Sequence, residues 1–571
     1  MTMRSRVAVI LIMLLAHLPG GAVPAAEPDQ LYDVVIRGGT IYDGSGGAPF
    51  AGDVAITGDR IAAIAPTISA RGHREIDARG LAVAPGFVNM LSWSNESLIQ
   101  DGRSQSDIRQ GVTLEVMGEG WSMGPLNEEM KRLSLSRQED IRYPITWTTL
   151  GEYLEHLQRR GIAPNVASFV GAATVRIHEL GEGDVDPNPA QIVRMRALVR
   201  QAMNEGAMGV GSALIYAPGN FAETDELVAL VTEAGRCGGM YISHMRSEGD
   251  RILQSVDELI DIARRAHAPA EIYHLKLAGR DNWSRYDAVI GRIEAARAQG
   301  LRITADMYTY VAGATGLDAA MPLWVQAGGQ EAWIALLRDP AIRARVAAEM
   351  RRPGQGWENL FLGAGPEGML LAEFRNPALR RYVGRRLSDV ARERGTSPEE
   401  TAMDLVVEDG SRVGTIFFLM SEENVRRELR LPWMSFGSDA GSIASEGPFL
   451  NANPHPRTYG NFARLLGRYV RDERLVTLQE AVRRLTSLPA SNLGIRERGT
   501  LRPGYYADLA IFDPAMIADR ATFEAPHAYA VGMRHVFVNG GQVLADGEPT
   551  GATPGRFVRG PGWNRCPPEP R

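Results

Sequence analysis

Cysteine is nearly absent. The 571 residues contain two, Cys237 and Cys566. Cysteine staples therefore do not define the fold, and neither residue has a zinc-ligand partner at motif spacing. A disulfide between them is available to a protein outside the cytoplasm, but nothing in the sequence requires one. Long apolar runs are also scarce. Val7 to Leu15 is one, and it is too short for a comfortable membrane span. There is no basic run, no interleaving of aromatic and basic residues, no internal repeat and no low-complexity block. With a formal net charge of -6, this argues against nucleic acid as the main partner.

The N-terminus reads as a processing segment. Arg4 and Arg6 precede the apolar run, and Val23-Pro24-Ala25 fits a small-residue cleavage rule. Residues 1–25 are thus expected to be a signal peptide, with cutting after Ala25. No cysteine follows the site, so a lipid anchor is not indicated. Loss of Arg4 and Arg6 takes the charge from -6 to -8. The expected product is exported, periplasmic or secreted, without stable membrane insertion.

What remains is long enough for a large barrel and a smaller domain. Residues 26–84 read as short strands and turns, such as Tyr32 to Gly39 and Arg60 to Ile64. The same grammar returns over 499–550, in Tyr506 to Phe512 and Arg534 to Gly541. Two such segments can complete one small β-sandwich. Between them, residues 85–498 alternate β-prone runs with amphipathic helical runs. The β-prone runs include Val112 to Met117, Asn165 to Val170, Met208 to Ala213, Ile303 to Tyr308 and Met434 to Gly437. The expected class is α/β, a (β/α)8 TIM-like barrel with a small β-sandwich built from both ends of the chain. Residues 311–371 read as an insertion after the seventh strand, a lid or a long crossover. Residues 551–571, rich in Gly, Pro and Arg, read as a surface tail.

The stretch from Met240 to Gly279 organises the barrel. Tyr241 to Met245 and Glu271 to Leu275 are β-prone, and Ile252, Leu253, Val256, Leu259, Ile260 and Ala263 between them repeat at helical spacing. A right-handed crossover makes the two strands parallel. His244 and His274 stand where these strands end, the rim where barrel active sites lie. Two converging imidazoles point to a zinc-type site.

Further motifs extend the pattern: Pro85-Gly86-Phe87, Gln110-Gly111-Val112-Thr113, Leu214 to Gly219, His244-Met245-Arg246, His274-Leu275-Lys276, Asp306 to Tyr310, Gly437-Ser438-Asp439, Pro454-His455-Pro456-Arg457 and Tyr506 to Leu509. In this order, over nearly the whole chain, they resemble the amidohydrolase superfamily, and within it the D-aminoacylases (N-acyl-D-amino-acid deacylases). The resemblance implies that His244 and His274 bind zinc and that Asp439 handles the proton of the attacking water. Zinc can lower the pKa of bound water from about 16 to about 7. A neighbouring carboxylate can take that proton and return it to the departing amine.

Two departures stand out. The family's His-x-His after Pro-Gly-Phe is Leu91-Ser92-Trp93 here, which cannot ligate a second metal. The family's cysteine ligand is replaced by Gly120, with Glu119 beside it. A carboxylate is a legitimate zinc ligand, and Gly118 and Gly120 permit a shift of one position. The expected site is one metal on Glu119, His244 and His274. A Glu-His-His set also suits other divalent ions, so zinc rests on the resemblance. The resemblance also assigns Lys276, Tyr308 and Arg457 to the substrate carboxylate and Tyr216 to the scissile carbonyl. Trp93 and Trp121 read as an apolar wall at the same rim, and His455 as a residue that fixes a loop.

The implied activity is that of an amidohydrolase acting on carbon–nitrogen bonds other than peptide bonds. The expected substrate is a small-molecule amide, an N-acyl amino acid, with D configuration following only from the resemblance and the stereochemistry not legible in the sequence. Cyclic amides or small peptides are an alternative, and a non-catalytic ligand-binding descendant is another. The oligomeric state is not legible.

Overall fold

The computed structural model describes residues 31–568. The signal-peptide reading of residues 1–25 lies outside them. Among the described residues, no helix is long and apolar enough to cross a membrane.

Eight parallel strands form the barrel: Phe87–Asn89, Val112–Met117, Asn165–Ser168 with Val170–Gly171, Gly209–Ala213, Met240–His244, Ala270–Ile272, Ile303–Met307 and Met434–Phe436. They are called the first to eighth strands below. Neighbours pair in that order around two arcs, and the eighth strand pairs with the seventh. The Met90 N–H donates to the Phe436 carbonyl at 3.1 Å, and Ser92 bridges to Ala440, which brings the eighth strand against the first. Inward side chains such as Met90, Leu91, Val116, Phe169, Ile242 and Tyr273 fill the barrel, with Leu493 and Val558 in the same cluster.

The helix Ile252–Ala266 shows how the sequence builds the outer ring. Ile252, Val256, Leu259, Ile260 and Ala263, three or four residues apart, are buried together. Arg264 and Arg265 occupy the last turn, where cations suit the helix dipole. Truncating fully buried Leu259 to alanine costs about 2–5 kcal/mol.

Both chain ends meet in one continuous nine-stranded sheet. The strand Ala82–Pro85 is the joint. It pairs in parallel with Tyr32–Ile41 on one flank and antiparallel with Leu509–Phe512 on the other. Apolar clusters line both faces of this sheet, around Val34, Ile36 and Val54 on one and Val35, Ala55 and Ile68 on the other.

The insertion is longer than 311–371. Gly313–Gly316, Met369–Glu373 and Gly414–Phe417 form an antiparallel sheet of their own, so the inserted body closes only near Leu419. Its last strand follows two helices, Leu387–Arg394 and Pro398–Asp409. The tail is also not simply superficial. Phe557 and Val558 are buried, and the Val558 N–H donates to the Val166 carbonyl at 2.8 Å. Cys566 is disulfide-bonded to Cys237, 329 residues earlier.

Candidate active site

The second strand ends in Gly118-Glu119-Gly120, and both glycines have positive φ, +106° and +69°. A Cβ at Gly120 would stand 2.7 Å from that of Ala213 on the fourth strand, so a side chain there collides with the barrel wall. Glu119, one residue earlier, points inward. Its Oε1 lies 2.9 Å from His244 Nδ1 and 2.9 Å from His274 Nε2. All three residues are buried, and their ligand atoms lie within 4.8 Å of one another. His244 is the last residue of its strand. His274 lies two residues beyond Ile272 with φ +35°, and the Asp306 carboxylate accepts its backbone N–H at 3.0 Å. Lys276 is therefore outside any extended strand. Its Nζ nevertheless lies 2.7 Å from His274 Nδ1.

Glu248 was not foreseen. Its Oε1 accepts from Lys276 Nζ at 2.6 Å and sits 3.0 Å from His274 Nδ1. If His274 offers Nε2 as a ligand, Nδ1 faces both this carboxylate and the Lys276 ammonium, and these contacts orient the ring. The sequence signal was slight: an acidic residue four positions after His244. Burial raises the Glu248 pKa, but Lys276, His244 and His274 outweigh it and hold the carboxylate far below its ordinary value. His274 is pushed up to about 10. Burial and Lys276 oppose that shift, and Glu248, Asp439 and Glu119 outweigh them.

Asp439 has φ +50° and follows the eighth strand. Its backbone N–H donates to the Leu91 carbonyl at 2.9 Å. Its Oδ2 forms an ion pair with Arg457 Nη1 at 2.8 Å. Burial raises the Asp439 pKa against the pull of Arg457 and His274. Arg457 also stacks over the Tyr308 ring at 4.4 Å, and Lys276 approaches the same ring at 5.5 Å. Lys276, Tyr308 and Arg457 are thus brought together as expected. Tyr216 packs edge-on against His244, with ring centroids 5.1 Å apart. His455 anchors this side: one ring nitrogen is 2.9 Å from the Ala312 carbonyl, and the other accepts the Arg457 N–H at 3.0 Å.

Trp93 is not merely an apolar wall. Its indole N–H is 2.9 Å from Glu119 Oε2 and 3.3 Å from Asp439 Oδ1. Trp121 lines the same cavity, of about 500 Å³, whose far side is formed by the insertion at Thr315, Arg412 and Ile416.

The donor set fits a divalent cation. One carboxylate oxygen and two imidazole nitrogens converge below the cavity, the usual protein share of a catalytic zinc site. Around them, three carboxylates (Glu119, Glu248 and Asp439) face two permanent cations (Lys276 and Arg457). Lys276 itself is unusual. Lysine occurs only at 131 and 276, and a compact ammonium fits between Glu248 and His274 where a planar guanidinium would not.

The Amidohydrolase family profile matches residues 74–544. A D-aminoacylase of Alcaligenes xylosoxydans xylosoxydans is 33% identical over 530 residues, covering 93% of this chain and 98% of that protein. The chain belongs to the amidohydrolase family, in its D-aminoacylase branch. A solved D-aminoacylase, described for its binuclear metal centre with one-metal activation and second-metal attenuation, superposes with a TM-score of 0.77 at 32% identity. It covers 92% of this chain and 100% of its own. The N-acyl-D-glutamate deacylase of Bordetella bronchiseptica, solved with zinc and a phosphonate mimic of the tetrahedral intermediate, gives 0.76 at 29% identity. The shares covered are 93% and 100%. Membership in this branch makes the chain a deacylase-like amidohydrolase acting on carbon–nitrogen bonds.

Proposed function

We propose that the protein is an exported, one-metal hydrolase of N-acyl-D-amino acids. The observation that carries this is the convergence of Glu119 Oε1, His244 Nδ1 and His274 Nε2 beneath a cavity that also holds Asp439. The D configuration and the acyl substrate follow the D-aminoacylase and N-acyl-D-glutamate deacylase similar to this chain.

A divalent ion, zinc by analogy with the solved deacylase, would supply carbonyl polarisation and a more acidic water near neutral pH. The chain's own residues do the rest. Lys276, Tyr308 and Arg457 offer two cations and a phenol to the substrate carboxylate, Arg457 with the geometry suited to a planar partner. Tyr216 stands beside His244, placed to orient the scissile carbonyl. Asp439 is held at Oδ2 by Arg457 and touched at Oδ1 by the Trp93 N–H, and its carboxylate is the group that takes a proton from water and returns it to the leaving amine. The disulfide Cys237–Cys566 supports an oxidising compartment, in keeping with export.

The test combines elemental analysis with a panel of N-acyl-D-amino acids, their L-enantiomers and cyclic amides, using protein that begins at Ala26. About one equivalent of zinc with turnover of the D-series is expected. Strict preference for cyclic amides, or turnover that survives Asp439→Ala in a folded protein, sinks the reading.

A further inference from the structure

Glu119 divides its two oxygens. Oε1 faces both imidazoles, whereas Oε2 turns away from them and meets the Trp93 indole N–H at 2.9 Å. The same N–H lies 3.3 Å from Asp439 Oδ1. Two anionic oxygens from strands on either side of the first strand therefore converge on one point. Two carboxylates aimed at a single position usually imply a cation between them. Here the position is taken by a neutral donor carrying a partial positive charge. Trp93 is set there firmly. Its backbone N–H donates to the Ala440 carbonyl at 3.0 Å, next to Asp439. The preceding Ser92 N–H donates to Val116 on the second strand at 2.8 Å. The loop that carries the indole is thus tied to the strand ends that carry both carboxylates.

We propose that Trp93 is a positioning residue whose indole N–H stands in for a second cation, holding Glu119 Oε2 and Asp439 Oδ1 together and restricting the centre to one ion. This rests on the one-metal reading above. Three consequences follow. Glu119 would offer an ion Oε1, because Oε2 accepts the indole N–H. Asp439 is kept at the cavity floor from both sides, by Arg457 at Oδ2 and by Trp93 at Oδ1. A second divalent ion finds no free pair of carboxylate oxygens at this rim.

The experiment uses the full mature chain with Trp93→Phe, which keeps the ring and deletes the donor, and Trp93→His, which replaces the donor with a potential ligand. Trp93 is 38% exposed, so both variants are expected to fold, and circular dichroism checks this. Zinc equivalents are measured after equilibration with excess zinc, and visible spectra are taken of the cobalt(II)-substituted proteins. In wild type, about one equivalent is expected even in excess zinc. Trp93→Phe should retain the first ion but shift the cobalt spectrum as Glu119 becomes free to bind through both oxygens. Its kcat should fall roughly 10- to 100-fold, the effect of losing a hydrogen bond to a charged group, with KM little changed. Trp93→His should gain a second equivalent. A Trp93→Phe protein with wild-type spectrum and kcat overturns the role of Trp93 while leaving the one-metal amidase intact. Two equivalents in wild type overturn the restriction to one ion. A wild type that binds no ion and cleaves no amide overturns both readings together.

Discussion

Glu248 Oε1 lies 3.0 Å from His274 Nδ1 and 2.6 Å from Lys276 Nζ, so one buried carboxylate orients both side chains. Removing its charge should disturb both. Glu248→Gln is expected to weaken zinc affinity about 10- to 100-fold, the usual effect of losing an outer partner of a ligating histidine. Chelator competition measures this. An unchanged affinity would mean that the contact does not orient the ring.

Asp439→Asn should separate proton transfer from metal binding. The amide keeps the shape but cannot take a proton, so kcat is expected to fall about 10²- to 10⁴-fold. Zinc content should remain near one equivalent, because Asp439 is not among the three converging ligands. Loss of the ion in this variant would reassign Asp439 as a ligand.

Lys276→Arg should not be conservative. The ammonium is buried between Glu248 and His274, and the larger planar fork has no room to reproduce both contacts. KM for the carboxylate-bearing substrate is expected to rise at least as much as in Lys276→Met. Wild-type KM in the arginine variant would count against the point-charge role.

Glu115 offers a pH test away from the metal. It accepts from Asn89 at 3.0 Å, and Asn89 in turn donates to Ser438, beside Asp439. Burial lifts its pKa to about 7. An unfolded glutamate titrates near 4.3, so between about 4 and 7 the folded chain keeps a proton that the unfolded chain releases. Stability contributed by this group is therefore full below pH 4 and is lost as pH rises through 7. Glu115→Gln cannot ionise and should lose less stability than wild type between pH 5 and pH 8. Thermal unfolding at a series of pH values in saturating zinc checks it, and an identical pH slope in the two proteins would refute it.

Much of this architecture was legible because barrel strands advertise themselves. Val112–Met117, Gly209–Ala213 and Ile303–Met307 coincide with the β-prone runs or lie within them, and the two histidines stand where strand ends place them. The backbone freedom around Glu119 could be read from the flanking glycines, whose positive φ the structure shows. What escaped depended on contacts between distant positions. Glu248 meets His274, 26 residues on, by a side-chain contact across a whole helical crossover, and the periodicity that shows the helix does not show that contact. Trp93 looks apolar in a sequence, but its function lies in one N–H whose direction only the folded rim fixes. The insertion ran past Leu371 because Gly414–Phe417 pairs with a strand a hundred residues earlier, and local pattern cannot reveal that.

The joint strand Ala82–Pro85 also sets an order of events. A chain made from its N-terminus holds one flank of this strand bare until Leu509–Phe512 has been synthesised. The small sheet therefore closes last, after the barrel residues have all emerged, and the Cys566 crosslink can form only later still. A product cut short anywhere before residue 509 displays an unsatisfied strand edge, a template for aggregation and a target for quality control. Pairing these two distant segments thus works as a check on length: only a chain that extends past Phe512 can hide that edge.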